Sequence, residues 1–132
     1  MRVGLGYDSH RFDPSRSLVL GGLEIPGSPG LSGHSDGDAV AHAVIDALLG
    51  AVSAGNVGSH FPPTDNTWKG ADSMVLLGKA VSILGDRGFV PSNVDVVVIT
   101  EAPKIGPLSE AMADRLAEVM GIQAGSVSVK GK

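Results

Sequence analysis

The chain of 132 residues has no cysteine. It can form no disulfide, and any soft metal must be held by histidine and carboxylate. It has no cluster of lysine and arginine, and its formal net charge is −4. Broad binding to a nucleic-acid backbone depends on such a cluster to displace counterions, so nucleic acid is a poor candidate partner. No apolar run reaches the length of a membrane span, and no basic and apolar leader precedes the opening run Met1 to Leu5. A protein of the cytoplasm, not of the membrane, is expected. Repeats, low-complexity tracts and linkers are also lacking. What is present, 42% apolar and 18% charged residues, suits one globular domain with one core.

Arg2 to Asp8 reads as a strand. Leu18–Leu20 and Leu23–Ile25 flank Gly21-Gly22, a dipeptide that supplies the positive φ of a tight hairpin. Pro26 to Ser35 is rich in Gly, Ser and Pro and reads as a loop. From Asp38 to about Ala54, Val40, Val44, Ala47, Leu48 and Ala51 recur at helical spacing, with Gly55 as a stop. Residues 55–70 show no periodicity, and so long a loop is usually functional. Ala71 to Arg87 and Leu108 to Met120 are two further helices, each followed by glycine. "DVVVIT", Asp95 to Thr100, predicts a strand covered on both faces, and Ser126 to Lys130 alternates like another. The order predicts an α+β fold: one domain over residues 1–132, with helices packed on a mixed β-sheet as a two-layer sandwich.

"GYDSHRF", Gly6 to Phe12, puts Asp8 and His10 two residues apart. On a strand they project to one face, as two metal ligands would, although such pairs also mark polar strand ends and turns. A third ligand is available in the first helix. His42 lies ~200° round from Val40 on a helix that turns about 100° per residue, away from the stripe of Val44 and Ala51. Lone helix histidines are often core or surface residues, but "HSDGDAVAHAVIDA" concentrates acids and histidines at the entry to an apolar helix. That is costly unless a cation or a phosphate compensates. Asp46, one turn on, is placed to hold the other ring nitrogen of His42. Ile45 and Leu49 share the His42 side, so the helix is apolar nearly all round, which suggests a subunit interface beside the site.

These blocks, with "LVLGGLEIP", "FPPTDNTWKGADS" and "TEAPKI", resemble the 2-C-methyl-D-erythritol 2,4-cyclodiphosphate synthase family over the whole chain. "SDGDxxxH" is a specific signature of that family. The resemblance implies a bacterial cytoplasmic homotrimer with an active site at each subunit boundary. The expected reaction belongs to the non-mevalonate isoprenoid pathway, and it closes a cyclic diphosphate with release of CMP. Asp8, His10 and His42 then look like three protein ligands of Zn²⁺, with the fourth position open to the substrate; three N/O ligands and an open site are what catalytic zinc uses. A Mg²⁺ or Mn²⁺ ion is expected to bridge the diphosphate. His34 is the expected catalytic residue beside the transferring phosphate, together with Ser35.

Carried over in the same way, Asn56, Val57 and Gly58 match the ribose contact. Phe61, Pro62, Pro63, Thr64 and Asp65 match the contact with the methylerythritol part. Thr100, Glu101, Ala102, Pro103, Lys104, Ile105 and Gly106 match the cytosine pocket of the adjacent subunit, and Lys132 is expected to touch substrate. Two positions depart from the family pattern, since Asn56 and Pro63 both stand where aspartate is usual. The amide bonds a hydroxyl more weakly than a carboxylate does, and proline offers neither donor nor acceptor side chain. Lys132 is the last residue, where the family continues into a Thr and Glu segment and a final strand, so that strand is expected to be missing. Two other functions share these features: a zinc phosphohydrolase acting on a cytidine diphosphate-linked substrate, and a non-catalytic trimeric nucleotide-binding protein.

Overall fold

Gly21 and Gly22 both take positive φ, 57° and 75°, the pair of conformations that matches the twist of an antiparallel hairpin. In the computed structural model, which describes residues 1–132, they join β1 (Phe12–Leu20) to β2 (Leu23–Leu31). The hairpin is longer than its sequence predicts. Pro29, Gly30 and Leu31 remain paired with Ser17, Asp13 and Phe12 across a bulge, so part of the expected loop at Pro26 to Ser35 is strand. Prolines are tolerated there because an edge strand needs no donor on its open side.

The helices follow the periodicity. They are α1 (Ala39–Ala51), the one-turn α2 (Val57–His60), α3 (Ser73–Asp86) and α4 (Ser109–Met120). Asp38 and Asp72 cap α1 and α3 through their carboxylates, and Gly121 ends α4 in the left-handed conformation. The α2 turn, with a 3₁₀ turn at Asn66–Trp68, lies inside the stretch that reads as structureless. Local capping, not hydrophobic period, makes it: Asn56 and Ser59 exchange side-chain and backbone hydrogen bonds in a capping box.

Strands β3 (Val94–Val98) and β4 (Val127–Gly131) pair in parallel. The ladders therefore form two separate two-stranded sheets, not the single mixed sheet expected. Nor does Arg2 to Asp8 join a ladder. It crosses α1 instead, and its glycines permit the approach: a Cβ on Gly4 or Gly6 would lie 1.8 Å from the carbonyl oxygen of Ala47 or Ala43. The intervening Val3, Leu5 and Tyr7 stay exposed.

One core of 26 buried apolar residues links the hairpin, α1, α3, α4 and both sheets. Ile45 and Leu49 are fully buried within the chain, and α1 packs on α3, the hairpin and β3. The all-round apolarity of α1 thus reflects burial inside this subunit and is no sign of a subunit interface. β3 corrects a second expectation. Val96 is buried while Val97 and Ile99 are 52% and 82% exposed, so only one of its faces is covered.

Candidate functional site

Asp8 and His10 meet as the sequence pattern requires, although no ladder holds them. His10 Nε2 lies 2.6 Å from Asp8 Oδ2. His42 of α1 comes from 32 residues further on and places Nδ1 3.1 Å from Asp8 Oδ2 and 3.3 Å from His10 Nε2. Potential ligand atoms of Asp8, His10 and His42 all lie within 4.8 Å of one another.

The far nitrogen of each ring explains why these atoms suit a cation. His10 Nδ1 donates to the backbone carbonyl of Ser32. His42 Nε2 lies 3.0 Å from each of two hydroxyls, Ser35 Oγ and Ser73 Oγ. When the rings are neutral and their far nitrogens carry the protons, two imidazole lone pairs and a carboxylate face one another. A positive charge between them removes that repulsion, and the donor set fits zinc or a similar divalent ion. The electrostatics run the same way. Burial by itself raises the Asp8 pKa, but the hydrogen bonds from both rings and their charge outweigh it and hold the carboxyl well below its usual range. His10 is shifted up, chiefly by its hydrogen bond to Asp8, against the opposing pull of burial. A field that favours a proton on His10 also favours a metal ion.

Asp46 is a correction. Its Oδ1 accepts from the Val57 backbone N–H at 2.7 Å and so ties α2 to α1. The partners behind His42 are Ser35 and Ser73 instead, and Asp36 holds Ser73 in turn: Ser73 Oγ donates to Asp36 Oδ1 at 2.5 Å. Sequence reasoning missed Ser73 and Asp36. Asp72-Ser73 ahead of an apolar-periodic run signals only a helix start, and nothing local to it points at a histidine 31 residues earlier.

The triad stands between two hollows. A groove of about 640 Å³ is lined by Tyr7, Asp8 and His10 on one side and Thr100 to Pro103 on the other. A smaller hollow of about 100 Å³ is lined by His34, Ser35, His42, Val57, Phe61 and Pro63 among others. His34 Nε2 donates to the Asp65 carbonyl at 3.1 Å, joining the His34 loop to residues 61–65. The Arg16 guanidinium of β1 reaches the carbonyls of Gly33 and Ser35 on either side of His34.

The other expected residues are placed as follows. Asn56 is exposed, and its side-chain oxygen accepts from Ser59 N–H at 2.9 Å; aspartate and asparagine cap equally well, so the local turn accommodates the departure from the family pattern. Gly58, Pro63, Thr64 and Asp65 are exposed, Pro62 is half-buried, and Phe61 is buried with its ring edge-on to Trp68 at 5.1 Å. Glu101, Ala102, Lys104 and Gly106 are exposed, whereas Ile105 is buried and presents only backbone to any ligand. Lys132 extends β4, since its N–H donates to Val98 O and its carbonyl accepts from Thr100 N–H.

A single small α+β domain carrying an Asp-His-His cluster beside a groove defines a class, and comparison with known proteins identifies it. The family model described as YgbB family matches residues 1–132, and the chain belongs to that family. The 2-C-methyl-D-erythritol 2,4-cyclodiphosphate synthase of Symbiobacterium thermophilum is 52% identical over 130 residues, 98% of this chain and 83% of that one. The protein of the same name from Gemmatimonas aurantiaca is 54% identical over 132 residues, 100% of this chain and 80% of that one. Among solved structures, a 2C-methyl-D-erythritol-2,4-cyclodiphosphate synthase in a CDP-bound form superposes with a TM-score of 0.88 at 39% identity. That match covers 99% of this chain and 87% of that one.

Proposed function

We infer that the chain cyclises 4-diphosphocytidyl-2-C-methyl-D-erythritol 2-phosphate to 2-C-methyl-D-erythritol 2,4-cyclodiphosphate with release of CMP. The observation that carries this reading is the coincidence of about 50% identity to synthases of that name with the convergent Asp8, His10 and His42. In the reaction an oxygen of the 2-phosphate attacks the β-phosphorus. A new P–O–P link forms, the bond to the α-phosphate oxygen breaks, and CMP departs with that electron pair. The nucleophile is already anionic, so no general base is needed. The demands on the protein are folding the substrate until its two phosphates meet and neutralising their repulsion.

We assign Zn²⁺ to Asp8, His10 and His42, where it supplies positive charge to a phosphate oxygen when bound; a Mg²⁺ or Mn²⁺ ion on the diphosphate completes the proposal. His34, with Ser35, is assigned to the transferring phosphate. Residues 56–58 are assigned to the ribose and 61–65 to the methylerythritol part. Residues 100–106, with Lys132, are assigned to the cytidine end. A metal-dependent phosphorus–oxygen lyase acting as a homotrimer, with sites shared between neighbours, is the finer form of this reading. The exposed apolar side chains of Val3, Leu5, Tyr7, Val97 and Ile99 support association, because such residues are ordinarily covered.

The deciding experiment is ³¹P NMR of the product. A cyclic diphosphate together with CMP is expected. A linear phosphate with inorganic phosphate would identify a phosphohydrolase, and tight binding without turnover would identify a nucleotide-binding protein.

Two variants test the assigned parts. Arg16→Ala should lower kcat by about 10²-fold, since the loop that aims His34 loses its brace, while metal content stays at the wild-type level. Arg16→Lys should recover little, because an ammonium does not reproduce the guanidinium fork across two carbonyls. Unchanged kcat in Arg16→Ala would remove His34 positioning from the mechanism. For the shared site, Asp8→Ala and Lys104→Ala proteins should each be poor catalysts and regain activity when their subunits are exchanged. No recovery despite demonstrated exchange would place both halves of the site in one subunit.

A further inference from the structure

We propose that Ser73 and Asp36 are positioning residues that hold the His42 ring with Nε2 as a hydrogen-bond donor, so that Nδ1 is the nitrogen turned toward Asp8 and His10. The inference rests on the reading of these three residues as metal ligands, and it concerns what orients one of them.

The argument starts at Asp36. All three of its partners are donors: the Ser73 backbone N–H at 2.9 Å to Oδ2, the Ser73 hydroxyl at 2.5 Å to Oδ1, and the Asp38 N–H at 3.0 Å to Oδ1. A carboxylate can only accept, so the Ser73 hydroxyl proton is committed to Asp36. What Ser73 Oγ turns toward His42 Nε2, 3.0 Å away, is a lone pair. Nε2 must then carry the proton, because two lone pairs at that distance repel. Ser35 Oγ, also 3.0 Å from Nε2, becomes a second acceptor for the same N–H, and it takes the Gly37 N–H at 3.4 Å as well.

Burial removes the alternatives. Ser73 is fully buried, and Ser35 and His42 are 7% and 8% exposed, so no water competes for these groups without displacing protein. With Nε2 protonated, Nδ1 is the only ring nitrogen left to serve a metal ion, and without one it faces Asp8 Oδ2 at 3.1 Å, where it can donate a proton to the carboxylate. Free histidine favours the Nε2–H tautomer only modestly, and a ring between partners of either kind can adopt both. The carboxylate behind Ser73 makes the choice one-sided. Ligand histidines are commonly fixed by a carboxylate or a carbonyl on the far nitrogen. Here the carboxylate acts through a serine hydroxyl, and the serine comes from the first turn of α3, so the start of that helix is coupled to the ring orientation.

The test is ¹⁵N NMR of the histidine rings in metal-free protein, together with Co²⁺ titration followed by its visible absorption. In the wild type, the His42 ring should show a protonated Nε2, whatever Nδ1 carries toward Asp8. Ser73→Ala should lower the proton occupancy of Nε2 and weaken Co²⁺ binding by about 10–100-fold, the usual cost of losing such a partner. Asp36→Asn serves as an isosteric second variant should Ser73→Ala not fold. Its amide must set an NH2 against the Ser73 N–H or against the Ser73 hydroxyl and the Asp38 N–H together; either arrangement loosens the hold on the hydroxyl, and a shift in the same direction is expected. Ser73→Thr restores the hydroxyl and should restore both readouts. A wild-type ring unprotonated at Nε2, or a pattern and affinity unchanged in both Ser73→Ala and Asp36→Asn, would overturn the proposal. Failure of wild-type protein to bind Co²⁺ would instead refute the metal reading, and the ring spectra would still decide the tautomer.

Discussion

His42→Ala protein is expected to retain no stoichiometric zinc and to lose at least about 10³-fold in turnover, the scale of a lost electrostatic stabiliser of phosphoryl transfer, while remaining folded. Asp8 and His10 would be the only donors left, and two ligands do not close a zinc site that needs three from the protein. The fold should survive because the apolar positions of α1, Val40, Val44, Ile45, Leu48 and Leu49, are buried independently of the ring, and alanine is the best helix former. The cost falls on Ser35 and Ser73, whose hydroxyls lose the shared partner at Nε2. Elemental analysis of purified protein, far-ultraviolet circular dichroism and a ³¹P progress curve check the three parts. Zinc content unchanged from wild type would eliminate His42 as a ligand, whatever happened to activity.

Asp38→Ala should destabilise the fold by at least about 3 kcal/mol, because three buried N–H groups lose their acceptor together. Asp38 is fully buried and accepts three backbone N–H groups: Gly21 and Ala41 on Oδ1, both at 2.9 Å, and Gly22 on Oδ2 at 2.7 Å. One carboxylate thus caps α1 and closes the β1–β2 turn, two elements that meet nowhere in the sequence. Burial pushes its pKa up while those three N–H groups pull it down, and burial prevails. Alanine would leave three donors without a partner in a region closed to water, and each such loss costs about 1–3 kcal/mol. Asp38→Asn keeps one acceptor oxygen and should cost less. Urea denaturation of metal-free protein measures the difference; a loss below about 1 kcal/mol would mean that water or a backbone shift replaces the carboxylate.

Asp38 and Asp46 show where reading the chain succeeds and where it stops. In "HSDGD" the sequence announces a polar helix entry, and the cap at Asp38 is legible because capping is local: the acceptor and Ala41 N–H lie three residues apart. The second task of Asp38, at Gly21 and Gly22, is invisible until the hairpin folds back. Asp46 fails for the same reason. Its spacing from His42 was right for a contact on one helix, yet the Val57 N–H, brought up by the Asn56 capping box, takes the carboxylate first.

Fixed by sequence alone were the three long helices, the glycine hairpin and the identity of the three residues that converge in the Asp-His-His cluster. Helices and tight turns are dictated by periodicity and by backbone conformations that few residues adopt, and ligand residue types by the chemistry of donors in a chain without cysteine. The tertiary structure decided everything that joins distant segments. It placed Arg2 to Asp8 across α1 through Gly4 and Gly6 instead of in a ladder, and it divided the strands into two sheets. It buried Ile45 and Leu49 inside the subunit, and it set Ser73 and Asp36 behind His42. These outcomes depend on which surfaces meet once the core closes, and a hydrogen bond spanning 31 or 37 residues leaves no periodic trace in the chain that forms it.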